Sequence, residues 1–432
     1  MSGQSAIGIP VEQGFYTLIL GIIPEGGEAM YFYDPSNEDM NGCVVYGVSI
    51  HESISDILAT CKIEVEVPYT WVDSQYLTDG TKITIDMKIN EQMAPGFSEY
   101  NEPAYTFRLF EIEKVEDHGV FVRLILGGII DVLPIYGDGN EFNCKCLTSK
   151  IFKEAGDKIG CTKQDIDTTK DEQLWIANGR SVYQFLNYCS QFGWVNSTSG
   201  MMWAIDRNKK LYYKNVDELF KSGTAGSGGT EGNCANGNCS KSQGIRVGSL
   251  GVPVVTSVPF GLNNMKLNVY GADSDVFKMC EKDSCKYDYV NIKAQCVCKS
   301  SESTCVCKNG PKKQGQNWFP FDVGNHGENY FKAVYQNRQV LGTYSTFMSV
   351  RFTPSTGIIA KNSIIPFFQA FHLFDTHNIE YAVDMKNGEF TTMSALSTKA
   401  MIESIDINIT QKHAATKIKF AAQGLNTKGK TN

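Results

Sequence analysis

Cysteine is the residue type in this sequence whose number and spacing point most directly to chemistry. The chain contains 14 cysteines. Six of them are crowded together, and a more widely spaced pair precedes them: Cys280, Cys285, Cys296, Cys298, Cys305 and Cys307, with Cys234 and Cys239 upstream. Thiolates at such spacing can bind zinc, or they can be oxidised to disulfides. The cluster therefore has two interpretations.

Spacing and surrounding composition bear on both interpretations. Two C-x-C pairs could each bring two sulfurs to one zinc ion, but structural zinc sites usually use C-x2-C spacing, which is missing here. Disulfides formed after release into oxidising surroundings would constrain a long segment with little apolar content. We favour a disulfide cluster of these eight cysteines and assign no metal ligands. Cys43, Cys61, Cys161 and Cys189 are predicted to be buried thiols, and Cys144 and Cys146 form another close pair.

The residue patterns of common enzymes are missing or misplaced. The six histidines form no HExxH pair, and no GxSxG or GxGxxG sequence occurs. Gly424–Thr431 fits the GxxxxGK[ST] phosphate loop, but the sequence reaches Asn432 directly afterwards, so the helix that such a loop must open cannot follow. We interpret this match as chance. Carboxylates are plentiful, yet the sequence cannot pair two of them across a cleft, which leaves a glycosidase open.

Charge is distributed unevenly along the chain. The net charge is −7, which argues against a nucleic-acid partner because such proteins need a basic surface. No Lys or Arg precedes Lys62, so the first 61 residues carry −8 and the remainder carries +1. This segment is either a solvated acidic surface or a face presented to a basic partner or neighbouring subunit. We expect no signal peptide and no stable membrane insertion, and hence synthesis in the cytoplasm.

Alternating apolar and polar residues predict strands over most of residues 1–147. Cys61, Ile63, Val65 and Val67 share one face of the first clear strand, which ends at Pro68. The turn at Asp79-Gly80 and the turn at Asp117-His118-Gly119 predict further antiparallel strands, and the pattern slips at Phe110 and Ile112 as at a β-bulge. We predict a small antiparallel β-barrel domain here.

Residues 148–221 change to a mixed α/β character. One predicted helix starts at Thr148 or Ser149 and buries Ile151, Phe152, Ala155 and Ile159. A second is capped by Ser181, places Val182, Phe185, Leu186 and Cys189 on one face, and ends at Gly193. A hairpin follows, with its turn at Arg207–Lys210. This segment is predicted to connect two β domains.

The remaining residues divide into an insertion and a second β domain. Residues 222–330 are rich in glycine at the start and in cysteine afterwards, and are predicted to be an insertion with no barrel of its own. Residues 331–432 return to strand patterns, with Ile405, Ile407 and Ile409 alternating with polar residues and with Ile418 and Phe420 on a return strand. The predicted fold class is mainly β, with two small antiparallel β-barrels and an α+β connection.

Three stretches resemble the baseplate hub family of contractile-tailed phages, which is related to the hub part of type VI secretion spikes. They are Tyr46–Ile54 with Cys61–Val67; Ser149–Ile159 with Trp175-Ile176, Ser181–Leu186, Gly193-Trp194 and Leu211–Tyr213; and Gly388–Phe390 with Ile402–Thr410 and Thr416–Ala421. Together they cover about half of the chain. The resemblance implies a homotrimer whose two barrels per subunit form a ring that stacks on a hexameric tube. The 222–330 insertion departs from the family.

The resemblance implies a structural virion protein of the tail baseplate, without catalytic residues or cofactor. Its expected partners are sister copies, the tail tube protein and the central spike protein, with a baseplate wedge or tape-measure protein as a further neighbour. Two alternatives remain open: a tail-associated cell-wall hydrolase that uses a pair of Asp or Glu residues, and a receptor-binding or metal-binding module centred on residues 280–307.

Overall fold

The computed structural model describes part of the 432-residue chain. The described residues are 16–34, 42–73, 77–78, 80–89, 102–195, 200–221, 245–248, 285–288, 293–296, 346–352, 358–360, 363–365, 371–386, 389–392, 398–410 and 414–422. The cysteines at 234, 239, 280, 298, 305 and 307 lie outside them, as do the glycine-rich linker at 222–244 and the phosphate-loop match at 424–431.

Strands dominate the described residues. The amino-terminal strands are β1 (Tyr16–Ile23), β2 (Met30–Tyr33), β3 (Val44–Ser53), β4 (Thr60–Pro68), β5 (Lys82–Ile89), β6 (Tyr105–Asp117) and β7 (Phe121–Ile130). The middle strands are β8 (Cys144–Cys146), β9 (Lys163–Ile166), β10 (Gln173–Trp175), β11 (Met201–Ile205) and β12 (Lys210–Asn215). The later strands are β13 (Ile245–Gly248), β14 (Cys285–Asp288), β15 (Lys293–Cys296), β16 (Thr346–Phe352), β17 (Ile358–Ala360), β18 (Ser363–Ile365), β19 (Thr376–Lys386), β20 (Glu389–Thr392), β21 (Thr398–Thr410) and β22 (Ala414–Ala422).

The helices are few and lie mainly in the connecting segment. They are α1 (Tyr69–Asp73), α2 (Thr148–Ile159), α3 (Val182–Phe192) and α4 (Val216–Lys221), with short 3-10 turns at Leu133–Tyr136 and Asn140–Phe142. α2 and α3 bury the apolar faces that the sequence predicts. Ser181 and Gln184 form a complete capping box on α3, as the predicted cap requires. Gly193 ends α3 with φ −59°, an ordinary negative value.

The start of α2 differs from the sequence prediction. Neither Thr148 nor Ser149 caps the helix; Leu147 occupies the cap position without a side-chain hydrogen bond. Asp171 supplies the cap from outside the helix, because its carboxylate accepts from the Thr148 backbone N–H at 3.0 Å and from the Trp194 backbone N–H at 3.0 Å. Burial raises the pKa of this carboxyl to about 6. A cap 23 residues away cannot be read from helical spacing.

One sheet of 13 strands joins the two regions that the sequence predicts as separate barrels. Its order runs β13-β19-β21-β3-β4-β7-β6-β5-β1-β2; β22 pairs with β21, β16 pairs with β22, and β20 pairs with β19. The seam is the antiparallel pair β3–β21, from Ser53 opposite Ser404 to Gly47 opposite Thr410. Among the described strands no ladder closes the sheet, so two separate barrels are not confirmed. β11, β12 and β9 form a second sheet of three strands.

The strand predictions hold at the level of single residues. Cys61, Ile63, Val65 and Val67 are buried on one face of β4, which ends at Pro68. The register of β6 against β7 shifts between Leu109 and Glu111, which is the predicted bulge. β21 and β22 pair as the predicted closing hairpin and bury their isoleucines.

Candidate functional site

A buried polar cluster forms where four segments of the chain meet. Arg207, in the turn between β11 and β12, is 1% exposed at its side chain, as is Glu52 near the end of β3. The guanidinium donates to Glu52 Oε1 at 2.5 Å, and the Arg207 backbone N–H donates to Glu52 Oε2 at 2.9 Å. Its Nη2 donates to the Phe371 carbonyl at 3.0 Å and lies 3.4 Å from Glu102 Oε2. One side chain therefore links β3, the segment before β6, the β11–β12 turn and the 371–375 turn.

The cluster holds more acidic groups than basic ones. Burial raises the pKa of Glu52 and of Asp375 to about 7, and it also raises the pKa of Asp206. Burial opposes the charge of Arg207, yet Glu102 and Glu52 raise its pKa well above the ordinary value. Burial together with Arg207 lowers the pKa of His372 to about 3, so its ring is neutral near pH 7. The guanidinium thus favours the charged forms of Glu52 and Asp206, whereas Lys210 does so for Asp375.

This cluster is suited to holding segments together. Its paired carboxylate and guanidinium are almost completely buried, so a polymeric substrate could reach them only if the fold opened. A buried ion pair of this kind is strongly destabilising to break and fixes the relative position of its partners. The cluster therefore gives no specific support to the hydrolase interpretation.

The β3–β21 seam carries a second set of polar contacts. His51 Nδ1 lies 2.5 Å from Asp406 Oδ1, and its Nε2 lies 2.8 Å from Asp56 Oδ2. The hydrogen bond with Asp406 raises the pKa of His51 to about 9, so the imidazole is cationic at neutral pH. Buried Glu403 accepts from the Ser55 hydroxyl at 2.7 Å and lies 2.9 Å from Lys419 Nζ. The contacts of His51 with Asp406 and of Ser55 with Glu403 link residues near 50 to residues beyond 400.

The far half of β6 and the turn after it form an exposed part of the same sheet. β6 is buried at Tyr105, Phe107 and Leu109, but every residue from Phe110 to Val120 is exposed. Four of these exposed residues are large and apolar: Phe110 at 56%, Ile112 at 46%, Val115 at 42% and Val120 at 72%. We call residues 110–120 the β6–β7 arm. Four large exposed apolar side chains within eleven residues make this edge of the sheet a candidate interaction surface.

The cysteines of the predicted cluster are placed only in part. β14 and β15 pair with Cys285 directly opposite Cys296; the other six cysteines lie outside the described residues. The disulfide interpretation therefore stays a prediction. Cys43, Cys61 and Cys189 are buried cysteines as predicted, whereas Cys161 is only half-buried. Cys144 and Cys146 bring their sulfurs into contact on one face of β8.

Neither a metal site nor a membrane-spanning helix is found within the described ranges. No group of three or more His, Cys, Asp or Glu side chains there could hold a metal ion. No helix there is long and apolar enough to cross a bilayer. Three of the histidines have placed side chains: His51 lies at the seam, His118 contacts Glu66 at 2.7 Å, and His372 lies in the buried cluster.

The sequence interpretation did not identify the Arg207 cluster. One signal was present, because Glu52 continues the face of β3 that Val48 and Ile50 bury. A carboxylate at an apolar position of an alternating strand indicates a buried polar contact. Its partners could not be found this way, since Arg207 follows Glu52 by 155 residues and Phe371 follows Arg207 by 164.

Comparison with known proteins gives structural matches only. No protein-family model and no curated protein sequence matches the chain. A 43 kDa tail protein of prophage MuSo2 from Shewanella oneidensis is similar at 11% identity and a TM-score of 0.47, over 94% of this chain and 98% of that one. A tail protein from Neisseria meningitidis MC58 is similar at 9% identity and a TM-score of 0.47, over 96% and 98%.

A third solved structure comes from a secretion system. This Escherichia coli component of the type VI secretion system, described as structurally similar to bacteriophage T4 tail proteins, matches at 6% identity and a TM-score of 0.39, over 89% of this chain and 76% of that one. The matched structures are phage tail proteins and a type VI secretion component, the class of protein that the sequence resemblance names.

Proposed function

We propose that this chain is a structural tail protein that acts as a baseplate hub, an adaptor between a hexameric tail tube and a trimeric central spike. Its work is assembly, so the proposed role needs neither a cofactor nor a catalytic residue. The proposed partners are two sister copies in a homotrimer, the tube protein on one side and the spike protein on the other.

The β6–β7 arm is the observation that carries this proposal. Four large apolar side chains exposed between Phe110 and Val120 are costly to leave in water, and burial against another subunit would remove that cost. The continuous sheet adds support, since an adaptor under load needs its two β regions joined by a long strand pair such as β3–β21. The buried Arg207 cluster fixes the connecting segment against both regions.

Self-association is the property to measure first. We expect the full-length chain to form a stable trimer in multi-angle light scattering, with a mass three times that of the 47.9 kDa chain. A chain that stays monomeric at the highest soluble concentration contradicts the proposal.

Position in the particle is the second measurement. We expect a map of the assembled tail to place the chain on the tail axis, between the tube and the spike. A location on the outer baseplate, or a clear lytic band when the chain is tested by zymography on cell-wall substrate, contradicts the adaptor role.

A further inference from the structure

The outer edge of β6 has no partner over most of its length among the described strands. β5 pairs with β6 only from Tyr105 to Arg108, whereas β7 pairs with the other edge as far as Asp117. Among the described strands, residues 110–117 therefore have one row of backbone N–H and C=O groups without a strand partner. A free strand edge is a template on which another strand can add.

The two faces of this free edge have different chemistry. Ile112 lies opposite Leu126, which lies opposite Ile63, so Ile112 belongs to the core face of the sheet. Glu113 lies opposite Ile125 and Glu116 opposite Arg123, so these acids belong to the outer face. Residues 110–117 contain four acidic residues and one lysine, a net charge of −3. The outer face of the edge is acidic, whereas its core face carries Ile112 together with Lys114 and Asp117, which lie opposite Leu124 and Val122.

β16 forms another edge of the same sheet, on the branch that runs through β22 from β21, and its charge is complementary. β16 pairs with β22, and no other described strand pairs with β16. In the register of this pair, Val350 lies opposite the buried Ile418 and Arg351 lies opposite the exposed Lys417. β16 and β22 contain no acidic residue and three basic ones, a net charge of +3.

The strand pairing shows which residues of β22, β21, β3, β4, β7 and β6 share one face of the sheet. On the core face, Ile418 lies opposite Ile405 of β21, and Ile407 of the same face lies opposite Ile50 of β3. Ile50 lies opposite Cys61 of β4, on the same face as Ile63. We call Glu111, Glu113 and Glu116 of β6 the acidic strip, and the three basic residues of β16 and β22 the basic strip. The register places the two strips on the same side of one sheet.

We propose that the free edge of β6 in one copy adds to the free edge of β16 in the next copy, which continues the sheet from subunit to subunit. Core face would meet core face, and the acidic strip would meet the basic strip. This inference rests on the self-association in the proposed function and names the surfaces that make it.

The charges also select the symmetry of the contact. Two β6 edges related by a twofold axis would place Glu111, Glu113 and Glu116 against the same acids, and like charges directly opposite are destabilising. A β6-to-β16 contact joins different surfaces of the two copies, which makes it head-to-tail. Head-to-tail contacts close into rings when the rotation allows, whereas a twofold contact stops at a dimer.

Charge reversal on either edge tests the proposal. We expect Glu111→Lys/Glu113→Lys, and separately Arg351→Glu/Lys417→Glu, to weaken association of the full chain by about tenfold or more, because each places like charges across the contact. Sedimentation velocity over a concentration series measures the change. Thermal unfolding of each variant shows that the fold is intact.

Combination of the two variants gives the decisive result. The quadruple variant restores opposite charges with their places exchanged, so we expect its association to recover to within roughly threefold of the wild type. Two control variants change charges elsewhere on the chain. Glu154→Lys/Glu172→Lys makes the same charge change as the β6 variant on exposed residues of the connecting segment. Lys62→Glu reverses a charge on the outer face of β4, a central strand. Both controls are expected to associate as the wild type does.

The outcomes separate this inference from the proposed function. A monomeric wild-type chain overturns both. If the wild type forms an oligomer and neither charge variant changes it, the β6-to-β16 contact is overturned while self-association is not. That result is expected if a segment of the same chain covers the β6 edge. Weakening by each variant without recovery in the quadruple variant also overturns the pairing of these two edges.

Discussion

The Arg207 cluster and the β6–β7 arm are both rich in acidic residues, but their surroundings are opposite. In the cluster, Glu52 is buried and hydrogen-bonded to Arg207 within the same chain. On the arm, Glu111 and Glu113 stand in solvent beside exposed apolar side chains. The buried charges link distant segments of this chain, whereas the exposed charges are those that we propose contact a second copy.

Loss of the central cation is the strongest test of this distinction. Arg207→Met leaves Glu52 buried without its partner, and we expect the free energy of unfolding to fall by about 3–5 kcal/mol. Urea unfolding followed by tryptophan fluorescence measures the change. Arg123→Met is the matched control, since Arg123 is 27% exposed and pairs with Glu64 at the surface, so a loss of about 1 kcal/mol or less is expected there. Equal losses in the two variants would remove the distinction.

Removal of the buried cap of α2 is expected to have the next largest effect. Asp171→Ala leaves the Thr148 and Trp194 backbone N–H groups without their acceptor, at a cost of about 2–3 kcal/mol. Ser181→Ala removes the local capping box of α3 and should cost about 1 kcal/mol. The same unfolding measurement compares the two, and a smaller loss at Asp171 than at Ser181 would contradict the importance of the long-range cap.

The seam between β3 and β21 should show a pH dependence of intermediate size. The folded-state pKa of His51 is about 9 against an ordinary value of 6.5, so its contribution to stability is complete below pH 6.5 and is lost as the pH rises through 9. Because His51 is 39% exposed, solvent screening reduces the expected loss to about 1 kcal/mol. Comparison of His51→Gln with the wild type between pH 6 and pH 10 isolates it. A stability difference between the two that does not change over this range counts against the ion pair.

Substitution on the arm should have the smallest effect on folding and a clear effect on association. Ile112→Ser changes a side chain that is 46% exposed, so the free energy of unfolding should change by less than about 0.5 kcal/mol. Light scattering of the same variant should show weaker self-association, because Ile112 lies on the core face of the proposed contact. A large loss of stability without a change in association would assign the arm to folding.

Local sequence patterns allowed much of the fold to be predicted. The alternation in Cys61–Val67 gave both the strand and its buried face, and the Ser181 cap with its four apolar positions gave α3. The bulge in β6 was visible as a slip in the alternation. Each of these depends on residues a few positions apart, for which spacing along the chain is also spacing in space.

The Arg207 cluster, the cap of α2 and the edge of β6 could not be predicted from local sequence patterns. The Arg207 cluster brings together residues from near 50, 100, 207 and 371, and no periodicity relates such distant positions. The predicted cap at Thr148 or Ser149 was wrong because a distant carboxylate took that role. The free edge of β6 depends on where β5 stops pairing, which is a property of the sheet.

From the sequence alone it was possible to predict several strands with their buried faces, such as Cys61–Val67 and Ile405–Ile409, and the uneven distribution of charge. Tertiary structure decided that β21 pairs with β3, that Arg207 pairs with Glu52, and that the acidic and basic strips belong to one sheet. The reason is physical: side-chain periodicity follows from local backbone geometry, whereas strand order and buried ion pairs depend on which distant segments exclude water together.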